Sequence, residues 1–260
     1  YGISVRAGNA GGSALADALI HVAHGAVVSS QQDEAIGEGV AANPGVVNTT
    51  LTIAGEVSSG GNKAVALGDG DDTVILLPTY NINAEIDLGT NGFNLFVLDG
   101  AAGTTGNIFF LQGSNQIATG VSETHKRGQG TWVIGGDDVP GLANLAPAFL
   151  DEGSLVINSQ LPSLTLLAAT GTRLSGVGGV GPLTLEGTAT LAPGNSIGTF
   201  NTGDLSLSSM STLEIEVDAM NNTDQIIVTG TVALNDAVLR VLDLAGSVNQ
   251  GAMAFNSTII

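Results

Sequence analysis

Three carboxylates fall within four residues in segment 67–74, and they are the residues of this chain best suited to chemistry. Asp69, Asp71 and Asp72 stand in the letters LGDGDDTV. Carboxylate oxygens are ligands that Ca²⁺ prefers, but each ion takes about six to eight oxygens, so one turn needs partners from neighbouring turns. The segment has no tandem copy. We therefore predict a solvated acidic turn without a structural metal, and these three aspartates are weak calcium candidates only.

Two glycine-rich motifs match catalytic or cofactor signatures, but their surroundings do not fit. Residues 194–198 (GNSIG) have the pattern of a hydrolase nucleophile at Ser196, which requires a following helix and a histidine downstream. Strand-like sequence follows instead, and the last histidine is His125. Residues 176–181 (GVGGVG) have the spacing of a dinucleotide-binding turn, which also needs a helix. Both segments are therefore predicted to be turns, with no catalytic residue and no cofactor.

The three histidines give no metal or acid–base cluster that the sequence can fix. His21 and His24 share a region with Asp33 and Glu34, and His125 stands alone in the letters ETHKR. Nothing in the spacing brings these groups together. We predict surface or edge histidines.

Composition excludes several classes of protein. The 260 residues are 43% apolar, so the chain folds, and its six Lys and Arg against 24 Asp and Glu give a net charge of −18. Because the few cations are scattered, binding to nucleic acid or to an anionic membrane surface is not expected. The chain has no cysteine, which excludes disulfides and cysteine-based zinc sites.

Internal repetition predicts stacked coils. Residues 20–39 and 51–70 share a pattern of strand, Gly turn, strand, Ser-Ser, polar spacer, apolar pair and acidic Gly turn, and 82–100 is a weaker third copy. Irregular repeats of this kind fit a β-solenoid, in which turn lengths vary and strands stay in register. Residues 10–21 are compatible either with a short helix or with a coil turn followed by a strand.

Alternation with a period of two is cleanest near the C-terminal end. Leu213, Ile215 and Val217 are each followed by an acidic residue. This pattern predicts a strand whose apolar side chains face the interior, with the acidic side chains in water.

The order of features across residues 181–244 resembles the C-terminal stem of autotransporter passenger domains, the secreted part of type V secretion proteins. A PGNSIG turn at 193–198 is followed by an acidic NNTD segment at 221–224 and by QIIVTGT at 225–231. The segment GTWVIGG at 130–136 is similar to a strand repeat of many passengers. The resemblance implies a right-handed parallel β-helix, exported through the periplasm of a Gram-negative bacterium to its surface or the medium.

We accordingly predict one elongated all-β domain, a right-handed parallel β-helix of about ten to thirteen coils and roughly 50–60 Å. Residues 1–180 are expected to form passenger coils with loop excursions near 104–152. Residues 181–260 are expected to form an autochaperone-like stem that is continuous with the helix. Both ends of the chain look as if they were cut from a longer polypeptide. The resemblance implies a C-terminal outer-membrane barrel, outside this chain, as partner.

The expected function is that of a non-enzymatic adhesin or spacer that meets a ligand on a host or neighbouring cell. One alternative is a β-helical carbohydrate-active enzyme, either a lyase or a hydrolase, although few cations and a single Trp disfavour it. The other alternative is a filament or surface-layer subunit that self-associates through exposed terminal coils.

Overall fold

A computed structural model describes residues 3–5, 16–38, 47–108, 117–135, 147–220 and 222–244. Every regular element in these ranges is a β-strand. Within the same ranges there is no helix with the length and apolarity needed to cross a bilayer. In chain order the strands are β1 (Ile3–Val5), β2 (Ala16–Val22), β3 (Val27–Ser30), β4 (Ile36–Glu38), β5 (Val47–Ile53), β6 (Glu56–Ser59), β7 (Lys63–Ala66), β8 (Thr73–Leu76), β9 (Asn81–Ile82), β10 (Glu85–Asp87), β11 (Leu95–Leu98), β12 (Thr105–Ile108), β13 (Ala118–Thr119), β14 (Glu123–Lys126), β15 (Thr131–Ile134), β16 (Ala148–Leu150), β17 (Ser154–Ile157), β18 (Gln160–Leu161), β19 (Leu166–Ala168), β20 (Arg173–Gly176), β21 (Gly179–Val180), β22 (Leu183–Leu185), β23 (Thr190–Pro193), β24 (Thr199–Thr202), β25 (Leu205–Leu207), β26 (Thr212–Val217), β27 (Gln225–Val228), β28 (Val232–Ala233) and β29 (Val238–Asp243).

The strands stack into five parallel sheets that wind as a solenoid, which confirms the predicted parallel β-helix. One sheet, called here the long sheet, runs through ten coils in the order β2-β5-β8-β11-β14-β16-β19-β22-β25-β28. Its flanks change along the rod. The sheets β1-β4-β7-β10-β13 and β3-β6-β9 flank the first coils, whereas β12-β15-β17-β20-β23-β26-β29 and β18-β21-β24-β27 flank the later ones.

The number of residues per coil varies widely, whereas the stacked strands keep their pairing register. Leu166 pairs with Leu183, 17 residues later, whereas Ala16 pairs with Val47, 31 residues later. Ten stacked strands at a spacing of about 4.8 Å give the long sheet a height of about 43 Å. Insertions are therefore absorbed in the turns, and the ladder of backbone hydrogen bonds is kept.

The repeats recognised in the sequence are neighbouring rungs of the solenoid. Ile20 pairs with Leu51, and Ile36 pairs with Val65, as the alignment of the two segments predicts. The strand alternative for the segment 10–21 is also confirmed where the structure describes it, because residues 16–22 form β2. Residues 10–15 lie outside the described residues.

Large aromatic side chains fill the interior where the flanking sheets change. The Trp132 side chain is fully buried, its ring stacks on Tyr80 at 5.8 Å, and its Nε1 donates to the Asp99 carbonyl at 3.1 Å. Space for the indole comes from Gly106, one rung away, where a Cβ would lie 2.7 Å from the ring. The lack of a side chain at Gly106 thus makes room for the Trp132 ring in this narrow interior.

Strand pairing continues across the predicted start of the stem. In the long sheet β19 pairs with β22, and in the seven-stranded sheet β20 pairs with β23. Parts of the predicted excursions, at 109–116 and 136–146, lie outside the described residues, as does 245–260. The division at residue 181 stays a prediction.

Candidate functional site

An open polar pocket of about 300 Å³ lies on the outer face of the seven-stranded sheet. Its floor comes from β20, β23 and β26, and its rim comes from the turn after β23. Because successive residues of a strand point to opposite faces, alternate side chains of these stacked strands converge on one patch. The lining residues are Arg173, Ser175, Ala192, Pro193, Gly194, Asn195, Ser196, Glu216 and Asp224.

Asp224 fixes the shape of the pocket. Its Oδ1 accepts the N–H of Gly198 at 2.8 Å, and its Oδ2 accepts the N–H of Glu216 at 2.8 Å. The chain folds back just before it, through an antiparallel bridge between Val217 and Thr223. Burial raises the pKa of Asp224, and its two backbone hydrogen bonds oppose that rise. The carboxylate therefore acts as a clamp between the strand, the folded-back segment and the turn.

Glu214 is buried beside the pocket, which corrects the prediction that it lies in water. It is 5% exposed, and its two carboxylate oxygens accept from Arg173 Nη2 at 2.6 Å and Arg240 Nη1 at 3.1 Å. The arginines come from other coils and cover the carboxylate with their long side chains. On the opposite face, Leu213 packs against the core as predicted, whereas Ile215 is only partly buried.

Glu216 is the carboxylate in the pocket that is free to act. Its Oε2 is buried and has no hydrogen-bond partner among the described residues. Burial raises the pKa of Glu216, as do the charges of Asp224 and Glu214, whereas Arg173 opposes the rise. An additional hydrogen-bond donor would relieve this unpaired oxygen.

The pocket is suited to hydrogen bonding with a hydroxyl-rich ligand. Ser175, Asn195 and Ser196 add hydroxyl and amide groups to the carboxylate of Glu216. Most glycosidase active sites use two carboxyl groups that both take part in the reaction. Here Asp224 is held by two backbone N–H groups, so the site offers one available carboxyl group.

The glycine motif at 194–198 is a turn, as predicted, whereas the motif at 176–181 contains the last residue of β20, two connecting residues and the short strand β21 (Gly179–Val180). Residues 194–198 connect β23 to β24, and strand, not helix, follows each motif. Gly176 closes β20 with a φ of +120°, and a Cβ there would overlap the carbonyl oxygen of Ile157. Glycine is therefore required at this corner by backbone shape and close packing.

The acidic turn ties coils together. Asp69 Oδ1 accepts from Asn91 Nδ2 and Asp71 Oδ1 accepts from the N–H of Phe93, both at 2.7 Å. Asp72 is fully buried, which corrects the prediction of a solvated turn at that residue. Within the described parts of the chain, no three His, Cys, Asp or Glu side chains are grouped as ligands of a metal ion.

His125 has partners that the sequence did not reveal. Its Nδ1 lies 2.7 Å from Asp151 and its Nε2 lies 3.1 Å from Glu123, while its ring stacks on Phe149 at 4.9 Å. Asp151 and Phe149 come from the next coil. His21 and His24 are exposed, as predicted for surface histidines.

A buried lysine was missed by the sequence analysis. Lys126 is 2% exposed, and its ammonium donates to the carbonyls of Arg127 (3.1 Å), Gly128 (2.6 Å) and Glu152 (2.8 Å). Burial lowers the pKa of Lys126 to about 8, although Asp99 and Glu152 oppose the shift. The alternation within β14 was the available signal: because His125 faces outward, the next residue, Lys126, faces inward.

No protein-family model, curated protein or solved structure matches this chain.

Proposed function

We propose that this chain is a non-enzymatic β-helical scaffold, the passenger of an autotransporter, displayed at the cell surface or secreted as an adhesin or spacer. The observation that carries the proposal is the long sheet, which stacks ten coils into one rod. A rod of stacked coils holds a surface at a distance and offers a long face for contact.

The residues that carry the resemblance support the proposal because they contact each other. Gly198 ends the turn at 193–198, and its N–H is bound by Asp224, the last residue of the acidic segment at 221–224. Asp224 also binds β26 through the N–H of Glu216. A turn, an acidic segment and a strand that are held together in this way suit a stem that folds first and offers its edge strands to the next coil.

Export experiments test this proposal. The chain is fused between a signal peptide and the barrel of a type V secretion protein in a Gram-negative host, and surface exposure is followed with an external protease. We expect display of a folded passenger, and slower display after Asp224→Ala, because that change removes the clamp. Asp17→Ala, at an exposed position in β2, is the matched control. Retention of the fusion in the periplasm would contradict the proposal.

The unpaired oxygen of Glu216 favours one second candidate, a carbohydrate-active enzyme. In that case Glu216 would donate its proton to the glycosidic oxygen as the bond from that oxygen to the anomeric carbon breaks, a water molecule would add to that carbon, and the proton released by this water would return to Glu216, with Ser175 and Ser196 binding hydroxyl groups. Release of reducing ends or unsaturated products from a panel of polysaccharides, lost in Glu216→Gln, would support the enzyme over the scaffold.

A further inference from the structure

A column of polar side chains runs along the corner where successive coils enter the long sheet. Thr49, Asp72, Asn94 and Ser122 each stand one residue before aligned positions of β5, β8, β11 and β14. Each side chain from Asp72 onward accepts the N–H of the preceding member of the column. The distances are 2.7 Å for Thr49 to Asp72, 2.9 Å for Asp72 to Asn94 and 3.0 Å for Asn94 to Ser122.

Asn94 shows what the second polar atom of such a side chain does at this corner. Its Nδ2 donates to the carbonyl of Leu88 at 2.9 Å and to the carbonyl of Gly120 at 3.0 Å. Asp72 has an oxygen, Oδ2, in place of that nitrogen. This oxygen is buried without a hydrogen-bond partner among the described residues, and Asp72 as a whole is 0% exposed.

The surroundings of Asp72 disfavour a negative charge. Among the described residues, the charged groups that act on it are Glu38 and Asp71, both negative. Glu38 is fixed nearby, since its Oε1 accepts from Thr49 Oγ1 at 2.6 Å and its Oε2 accepts from the N–H of Gly68 at 3.1 Å. Burial raises the pKa of Asp72 to about 7, and the two neighbouring carboxylates add to the rise, while the N–H of Thr49 opposes it.

We propose that Asp72 carries a proton on Oδ2 in the folded protein at acidic pH, and that this neutral carboxyl group, like the neutral amide of Asn94, joins two successive coils by accepting the N–H of the preceding one on its other oxygen. Loss of the proton leaves a buried carboxylate between Glu38 and Asp71. The contact that Asp72 makes between neighbouring coils is thus pH-sensitive, and it weakens as the pH rises.

The direction of the pH dependence follows from proton binding. The pKa of Asp72 is about 7 in the folded state against an ordinary value of 3.8, so between these values the folded state holds a proton that the unfolded state has lost. The stabilisation is complete below about pH 4, is lost as the pH rises to about 7, and changes no further above that.

A direct test is the ¹³C NMR titration of the Asp carboxyl carbons in the wild-type chain. We expect one Asp signal, assigned to Asp72 by its loss in Asp72→Asn, to titrate with a midpoint of about 7. A midpoint for that signal below about 5 would show an ionised Asp72 at neutral pH and would overturn the proposal.

A variant pair provides the second test. Asp72→Asn reproduces the chemistry of Asn94, and Asp69→Asn is the control from the same turn, where the side chain is exposed. Relative to Asp72→Asn, the unfolding equilibrium constant of the wild type and of Asp69→Asn should rise by up to about tenfold per pH unit between pH 4 and pH 7. Equal pH dependence in all three proteins would refute the proposal. Should Asp72→Asn fail to fold, the wild-type signal is assigned through its coupling to the Asp72 backbone, and the titration decides.

Discussion

Glu214 and Glu216 lie on the same face of β26, two residues apart, and differ in their burial and in their partners. Glu214 is bound by two arginines, whereas Glu216 keeps one oxygen without a hydrogen-bond partner among the described residues. Glu214→Gln should therefore destabilise the C-terminal coils, and Glu216→Gln should not. The simple alternation of the sequence, with both glutamates in water, predicts that neither change matters.

The expected magnitude follows from the two ion pairs of Glu214. A hydrogen bond to a charged group contributes about 1.5–3 kcal/mol when it is sheltered from water. The side chains of Arg173 and Arg240 are 44% and 62% exposed, so solvent screening reduces both contributions. Glutamine keeps one hydrogen bond, from an arginine to its uncharged amide oxygen, and turns its amide nitrogen toward the other arginine. We expect a loss of about 2 kcal/mol for Glu214→Gln, and a change within about 0.5 kcal/mol for Glu216→Gln.

The assay has to be local, because a solenoid can unfold coil by coil. Urea unfolding followed by circular dichroism gives the free energy of unfolding, and hydrogen exchange over residues 212–217 reports the coil that contains both glutamates. Faster exchange there is expected in Glu214→Gln only. Equal effects of the two substitutions, or a larger effect of Glu216→Gln, would refute the assigned burial of Glu214 and its pairing with the arginines.

Three further expectations follow from the interior and the turns. Gly106→Ala should cost about 1–3 kcal/mol because its Cβ meets the buried indole of Trp132, whereas Gly135→Ala, whose nearest contact is 3.6 Å, should be neutral in the same urea titration. In the wild type the free energy of unfolding should rise between about pH 8 and 10.5, because the unfolded state binds more protons there. Lys126→Met should abolish this rise, and the same pH profile in both proteins would refute the buried ammonium. Millimolar Ca²⁺ should leave the thermal midpoint unchanged, and a rise of many degrees would instead indicate a calcium site at 69–72.

The fold could be predicted from the sequence because its main signal is local. A strand places alternate residues inside, so the period of two and the glycine-rich turns are visible in any single coil. The repeat between 20–39 and 51–70 even gives the register, since Ile20 does pair with Leu51. Within the segment 10–21, the described residues from 16 onward form a strand because they pair with β5, a contact that the spacing of apolar residues does not reveal.

The burial of charged residues could not be predicted, because their partners come from distant positions in the chain. The two arginines that cover Glu214 stand 41 and 26 residues away from it. Asp72 likewise meets Thr49, 23 residues earlier. Whether a polar side chain on a strand is solvated depends on which residues the coils above and below place beside it, and varying coil lengths hide that from a single sequence.

These buried polar groups also bear on how the coils choose their neighbours. Contacts among buried Val, Leu and Ile side chains are non-directional, so they stabilise many registers of neighbouring coils to a similar extent. A buried hydrogen-bonding group is compatible with far fewer registers, because a slipped coil would leave it unpaired at a cost of about 1–3 kcal/mol. Asn94 binds the coil before it through the N–H of Asp72 and the coil after it through Ser122, and Lys126 is held by a carbonyl of the following coil at Glu152. The apolar interior therefore drives the formation of the rod, while the polar corner residues fix the order and register of its coils.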